Sequence, residues 1–283
     1  MSTVSRTALV TGATSGIGLA AARALAASGY CVVVLSRNPA KCAAVAQELR
    51  AETGNDSVHA LPADLSSMAS VRAAAEEFLR APGRLDMLLN NAGISPSRRR
   101  LTADGFERAF GVNHLGHFLL TNLLLERLKA SAPARIVNVT SNIYKQAKLE
   151  FDNLQLARGF SAMRSYANSK LANLLFTTEL ARQLEGTGVT ANAMTPGMVK
   201  TNIGQEEGWL YAFAKRLADA FGGKSPEQGA DTLVWLASAP ELAEVSGKYF
   251  QNRQELPLEG AAGDAELAAR LWQASARLAG LPD

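Results

Sequence analysis

Cysteine is nearly absent. Cys31 and Cys42 are the only two in 283 residues, which excludes a disulfide framework and fits a reducing compartment. Histidine is almost as scarce, and His59, His114 and His117 make no metal-binding pattern with those cysteines. No metal site is expected. Long apolar runs are missing as well. The nearest, residues 118–125, is broken by Thr121 and Asn122 and closed by Glu126, short of the ~18 residues that a membrane-spanning helix needs. At the N-terminus no basic stretch leads into an apolar run and a cleavage site, so no signal peptide is expected. Nor does one sign of charge dominate. The 29 Lys and Arg against 26 Asp and Glu leave +3, too small a surplus to expect nucleic acid as a partner. No repeat, low-complexity tract or linker divides the chain, so residues 1–283 read as one domain, soluble and cytoplasmic.

What is present is alternation. Apolar residues make up 47% and charged residues 19%, with a mean hydropathy of -0.01, a globular composition. Short apolar runs predict strands at 7–11, 31–35, 58–62, 87–90, 135–139 and 189–193, with a last short one near 247–250. Several are continuous, such as CVVVL at 31–35, the pattern of strands buried on both faces of a parallel sheet. Helical patterns fall between them at 18–28, 40–51, 67–80, 104–130, 165–184 and 226–237, and a final one at 264–279 follows the sheet. Alternating strand and helix implies right-handed βαβ units and a doubly wound α/β domain, a parallel sheet of about seven strands with helices on both faces.

The loop after the first strand reads TGATSGIG at 11–18. Gly12, Gly16 and Gly18 permit a tight turn and close backbone approach to a pyrophosphate. Thr14, Ser15 and Ile17 stand between them, where the opening helix presents free N–H groups and partial positive charge. The spacing T-G-x-x-x-G-x-G resembles that of the short-chain dehydrogenase/reductase family. Further likenesses follow in order: Asp64 and Leu65 after the third strand, NNAG at 90–93 closing the fourth, Asn113 in the next long helix, Ser141 at the end of the fifth strand, YANSK at 166–170, and Pro196-Gly197 after the sixth. LTADGFE at 101–107, VNHLGHFLLT at 112–121, RIVNVTS at 135–141, SKLAN at 169–173 and Leu271-Trp272 are similar to the retinol-dehydrogenase-like branch. Many members of that branch carry an N-terminal membrane anchor, and none is legible here.

The resemblance implies a Rossmann-type fold and a nicotinamide dinucleotide. It implies that Gly12, Thr14, Ser15, Gly16, Ile17 and Gly18 hold the phosphates and that Asp64 and Leu65 contact adenine. Asn91, Ala92, Gly93, Pro196, Gly197 and Val199 complete the cofactor site, with Thr201 on the nicotinamide carboxamide. It also implies four catalytic residues. Tyr166 and Lys170, four apart on a helix, share one face. A free tyrosine titrates near pH ~10, and a neighbouring ammonium favours the tyrosinate. In the direction of reduction, neutral Tyr166 donates its proton to a carbonyl oxygen. Ser141, 25 residues earlier, holds that oxygen, with Thr140 as its rival. Lys170 also binds the nicotinamide ribose, and Asn113 holds the water that joins Lys170 to solvent.

Ser36, Arg37 and Asn38 follow the second strand, where an acidic residue would select NAD. Their lack of an acid, and the Arg37 guanidinium, predict NADP(H). Residues 142–164 are expected to form a substrate wall. Residues 198–224 are expected to form a lid, with Trp209, Phe213, Leu217 and Phe221 as an apolar stripe suited to a bulky, largely apolar substrate. The helices at 104–130 and 165–184 are the usual pairing surface of the family, so a homodimer or homotetramer is expected. His114 and His117 read as packing or interface residues, and RRR at 98–100 as a solvated loop. The function expected is interconversion of a carbonyl and an alcohol. The alternatives are reduction of a C=C bond beside a carbonyl and a non-catalytic NADP(H) sensor or scaffold.

Overall fold

A computed structural model describes residues 6–199 and 223–282. Eight strands form one sheet: β1 (Thr7–Thr11), β2 (Cys31–Ser36), β3 (Val58–Pro62), β4 (Met87–Asn90), β5 (Ala134–Val139), β6 (Val189–Met194), β7 (Tyr249–Gln251) and β8 (Gln254–Leu256). Their order is β3-β2-β1-β4-β5-β6-β7-β8. The first seven run parallel, and only β8 is antiparallel. The order reverses between β1 and β4, and that reversal opens a crevice beyond the carboxyl ends of the strands. The helices are α1 (Gly16–Ala27), α2 (Pro39–Thr53), α3 (Met68–Arg80), α4 (Gly116–Ala130), α5 (Ala162–Gln183), α6 (Pro226–Ser238) and α7 (Ala265–Ala279).

The continuous apolar runs fold as strands because both faces are covered. Leu9, Leu88 and Ile136 point into one core with Leu119 and Leu174. Val10, Val34 and Leu89 point into the other with Leu25 and Leu233. Local signals set the helix ends. Asn38 caps α2 by accepting from Lys41 N at 3.0 Å, with Pro39 at the first position. Asp264 caps α7 by accepting from Leu267 N at 2.9 Å.

Two expectations are revised. The sheet has eight strands, not about seven. Residues Asn252 and Arg253 both take left-handed backbone, φ 53° and 59°, and fold the chain back into a tight hairpin. Arg253 holds that conformation through a two-point ion pair with Asp231 of α6 and a bond from its N–H to Thr232 Oγ1 at 3.1 Å. The long helix expected from residue 104 begins at Arg108 and passes through a π-helical turn, Phe110–Leu115, into α4. Asp104 is drawn away to cap α3, accepting from Met68 N at 2.9 Å. The buried Glu107 carboxylate accepts from Ala109 N and Phe110 N at 3.1 and 3.0 Å, which fixes the true start. On α4 and α5 the helix α7 also packs, its Trp272 ring 5.8 Å from Phe176 and 4.9 Å from Phe118. Among the described residues no helix is long and apolar enough to cross a membrane.

Candidate active site

The glycine loop joins β1 to α1 at the sheet's reversal. Gly12, at φ 66°, donates to Leu35 O at 2.8 Å and so ties the loop to the end of β2. A Cβ at Gly12 would lie 2.9 Å from Ala92 Cα, and one at Gly18 would lie 2.5 Å from Gly12 O and also strike Asn91. Neither position tolerates a side chain. The loop is pressed on the NNAG segment, and Thr11 holds the two together. Its Oγ1 accepts from Asn91 N at 2.9 Å and Ala92 N at 3.0 Å, while Asn91 Nδ2 donates to Thr11 O at 2.8 Å. Thr14, Ser15 and Gly16 remain half-buried at the mouth of the crevice. Ser15 begins α1 without a side-chain cap bond, so its hydroxyl is not spent on the helix.

Ser141, Tyr166, Lys170 and Asn113 converge beside this loop. Ser141 lies two residues past β5 and hydrogen-bonds the Tyr166 phenol. Thr140, its rival, is committed elsewhere: its hydroxyl donates to Lys170 O at 2.8 Å and is buried. The Lys170 Nζ lies 5.5 Å from the centre of the Tyr166 ring and donates to Val139 O at 3.1 Å. A Cβ on Gly93 would lie 3.4 Å from Lys170 Nζ and 3.6 Å from Asn113 Oδ1, which places both beside the NNAG turn.

Burial governs the protons here. It lowers Lys170 to about 8, so the ammonium still dominates at neutral pH. Burial pushes the Tyr166 phenol up to about 12, and the Ser141 hydrogen bond opposes that only in part. Burial thus dominates at Tyr166, opposite in direction to the effect expected of a neighbouring ammonium. Tyr166 stays protonated at neutral pH and is poised to give a proton.

Asn113 sits in the π-helical turn with its side chain fully engaged. Its Nδ2 donates to Ile94 O and Ser169 Oγ, both at 2.9 Å, and its Oδ1 accepts from Ile94 N at 2.8 Å. Only its backbone carbonyl is left for any water, and that carbonyl already accepts from His117 Nδ1 at 3.0 Å. With Nδ1 protonated, His117 Nε2 accepts from the Thr11 hydroxyl at 2.9 Å. A buried, neutral histidine thus connects the glycine loop to Asn113. Desolvation holds it at about 4, far from its ordinary value.

The sequence pattern of the short chain dehydrogenase family matches residues 6–209. The chain belongs to that family. It is 43% identical over 292 residues to retinol dehydrogenase 13 of Homo sapiens, with 98% of this chain and 85% of that protein covered. It is 44% identical over 281 residues to polyprenol dehydrogenase of Mus musculus, with 97% and 84% covered. These relatives set it in the retinol-dehydrogenase-like branch of a family of oxidoreductases. Among solved structures, an uncharacterized protein from Mycobacterium paratuberculosis matches with a TM-score of 0.78 at 34% identity, covering 98% of this chain and 94% of that one.

In this short-chain dehydrogenase the remaining residues expected in the site lie at or just after the ends of β2, β3 and β6. Ser36 Oγ at the end of β2 is buried with no partner, a donor waiting for an acceptor. Arg37 is exposed next to it. Asn38 spends its side-chain oxygen on capping α2 and is the weakest member of the expected set. Asp64 accepts from Ser66 N and Oγ, at 2.9 and 2.8 Å, and shapes its own turn. Leu65 is buried, with its carbonyl against Gly116, where a Cβ would lie 2.5 Å away. Pro196 and Gly197 are half-buried, Gly197 at φ 75°. Val199 meets Ile17 at Gly229, whose Cβ would lie 2.9 and 3.1 Å from them. Thr201, Trp209, Phe213, Leu217 and Phe221 lie outside the described residues, so the expected lid is described only at its ends, where Val199 bridges Lys224.

Sequence reasoning missed the outer wall. Next to Ser141, a cleft of about 300 Å³ is lined by Asn142, Tyr144, Tyr249, Gln251, Leu256 and Pro257, with Lys145 and Glu259 at its edge. Tyr249 Oη donates to Asn142 Oδ1 at 2.6 Å, and Asn142 Nδ2 donates to Gln251 Oε1 at 2.9 Å. Asn142, Tyr144 and Lys145 lie in the expected 142–164 loop. Tyr249, Gln251 and Leu256 come from the β7–β8 hairpin, of which only the strand near 247–250 was expected. The roles of Thr11 and His117 were also missed. Thr11 directly precedes Gly12, and His117 lies one turn beyond Asn113 on the same helix, which was the available signal.

Proposed function

We propose that the protein is an NADP(H)-dependent oxidoreductase that interconverts a carbonyl and an alcohol on a bulky, largely apolar substrate. The observation that carries this reading is the convergence of Ser141, a protonated Tyr166 and a charged, buried Lys170 in the crevice that also holds the glycine loop. The residues present fit a dinucleotide. Gly12 and Gly18 let the loop close tightly on the NNAG turn at the start of α1, and the unpartnered Ser36 hydroxyl beside Arg37, at the end of β2, supports a 2′-phosphate there. When bound, the nicotinamide supplies or accepts the hydride.

The protein's own part is binding and proton control. Ser141 orients the substrate oxygen. Tyr166 Oη gives a proton to that oxygen in reduction and takes it back in oxidation. Lys170 places positive charge near the phenol, so the tyrosinate left behind is stabilised. Asn113 stiffens the NNAG turn against Lys170 and leaves a carbonyl lone pair for a water between Lys170 and solvent. The aromatic cleft beside Ser141 takes the body of the substrate, in keeping with relatives named for retinol and polyprenol, both bulky apolar alcohols.

The test is oxidation and reduction of matched long-chain alcohols, aldehydes and enones with each nucleotide, with product identification. The reading expects NADP(H) to be preferred and C=O, not C=C, to be the bond changed. A charged hydrogen bond contributes roughly 1.5–3 kcal/mol, or on the order of 10–150-fold in affinity. Arg37→Ala should weaken NADPH binding on that scale and leave NADH little changed. Equal loss for both, or a wild-type preference for NADH, would remove the assignment of Arg37 to the phosphate.

A further inference from the structure

One buried acid takes no part in the chemistry proposed above. Glu107 is 1% exposed, and a carboxylate so deep is kept only where its oxygens are satisfied. The segment LTADGFE at 101–107 delivers it. Gly105, left-handed at φ 84°, turns the chain, and Thr102 N donates to Phe106 O at 2.7 Å. Glu107 then returns beside Leu101 as an antiparallel bridge.

The carboxylate reaches two separate elements. Its Oε1 accepts from Ala109 N at 3.1 Å and its Oε2 from Phe110 N at 3.0 Å, which holds the start of the turn that carries Asn113. Oε1 also accepts from Ser165 Oγ at 3.0 Å. Ser165 is buried and directly precedes Tyr166. Its N–H is spent inside α5, on Ser161 O at 2.9 Å, so its hydroxyl is the tie to Glu107.

The Glu107 backbone reaches a third element. Its N–H donates to Gln155 Oε1 at 2.6 Å, in the 142–164 segment. Next to Gln155, the buried Leu156 takes left-handed backbone at φ 46°, a conformation that leucine keeps only where its surroundings impose it. Leu156 N donates to Asn153 O at 2.9 Å. Asn153 Nδ2 donates to Arg158 O at 3.0 Å, and Arg158 N donates to Asn153 Oδ1 at 3.2 Å. These bonds brace the segment to which Gln155 belongs.

We propose that Glu107 is a positioning residue for Tyr166, tying the start of α5 to the Asn113 turn and to the segment expected to wall the substrate. The role rests on the reading of Tyr166 as proton donor. The geometry calls for an acid. A carboxylate offers only accepting oxygens, so it takes Ala109 N, Phe110 N and Ser165 Oγ together. Glutamine would turn its own N–H groups toward one of these donors.

The test compares Ser165→Ala, which cuts one bond and keeps the rest of the Glu107 set, with Glu107→Gln. The first readout needs neither nucleotide nor substrate. The Tyr166 phenol is titrated by NMR in protein with isotope-labelled tyrosine, its signal assigned by Tyr166→Phe. Burial holds the phenol at about 12 in the wild type. With the start of α5 untied, more water reaches the ring, and the titration should fall toward the ordinary ~10 in both variants. The second readout is turnover. A misplacement of about 1 Å costs roughly 10²-fold in rate, so kcat should drop by ~10- to ~100-fold while KM for NADPH stays close to wild type. The double variant should lose no more than Glu107→Gln alone, because both act through one bond. Should Glu107→Gln fail to fold, Ser165→Ala carries the test by itself. A wild type that reduces no carbonyl, with the phenol still shifted in Ser165→Ala, would remove the proposed reaction and leave the positioning in place. A Ser165→Ala protein whose phenol titration and kcat match the wild type would overturn the role. So would a loss that falls equally on kcat and on KM for NADPH, the mark of a general loosening of the fold.

Discussion

Lys170 is a charge the protein keeps at a cost. Its ammonium is buried and lowered to about 8, so it is charged below that pH and neutral above. Its charge is what favours the tyrosinate form of Tyr166 and what would meet the cofactor ribose. In kcat/KM for the dinucleotide, which reports the protein before binding, an alkaline limb should therefore appear near pH 8. The rate should be level below it and fall as pH rises through it. Lys170→Met should abolish the limb along with most of the activity. A profile level from pH 6 to pH 10 in the wild type would mean that the charge on Lys170 is not required. Thr140 makes the same point from the other side. One residue from Ser141 and chemically similar, it is excluded from the site because its hydroxyl is spent on Lys170 O. Sequence reasoning named both, and only the hydrogen bonds separate them.

At the scale of elements, α4 and its π-helical turn repay attention. The turn sets Asn113 toward the NNAG segment and places His114 and His117 in the core. Burial lowers these histidines to about 3 and about 4, whereas an unfolded histidine titrates near ~6.5. Below pH 6.5 the unfolded chain takes up two protons that the folded one refuses. The stability these groups contribute is fully present above that pH and lost as pH falls toward 4. Each adds a slope of up to about 1.4 kcal/mol per pH unit. The urea midpoint should fall steadily between pH 6.5 and pH 4.5, and His117→Gln should roughly halve the slope. A midpoint unchanged down to pH 5 would contradict the burial of both rings. The same elements separate what the sequence reveals from what it hides. The seven parallel strands were legible because burial on both faces demands unbroken apolar runs. The glycine loop, NNAG, Ser141, Tyr166 and Lys170 were legible because their residue types are fixed by backbone approach or by chemistry. The start of α4 was not, because Asp104 and Glu107 look like helix residues until their carboxylates are seen capping other N–H groups. The turn into β8 was hidden too, since it rests on left-handed Asn252 and Arg253 and on a distant ion pair to Asp231.

Over the whole molecule, the order of the strands does the positioning. The reversal between β1 and β4 brings the glycine loop, the NNAG turn and the end of β5 to one crevice. α5 then delivers Tyr166 and Lys170 to it, and α7 holds α5 from behind. Tyr166, Ser141 and the glycine loop meet although they lie far apart in the chain. In the proposed reaction the assembled crevice moves a hydride to a carbonyl carbon while Tyr166 moves the proton. It is tested most directly by incubating the protein with NADPH carrying deuterium at both nicotinamide C4 positions and a long-chain aldehyde, then locating the deuterium in the product. One label should appear on the carbinol carbon in wild type. Tyr166→Phe should bind NADPH nearly as well yet slow the transfer by roughly 10²–10⁴-fold, the usual contribution of a general acid. Transfer at the wild-type rate in Tyr166→Phe, or no label on the carbinol carbon in wild type, would contradict the account.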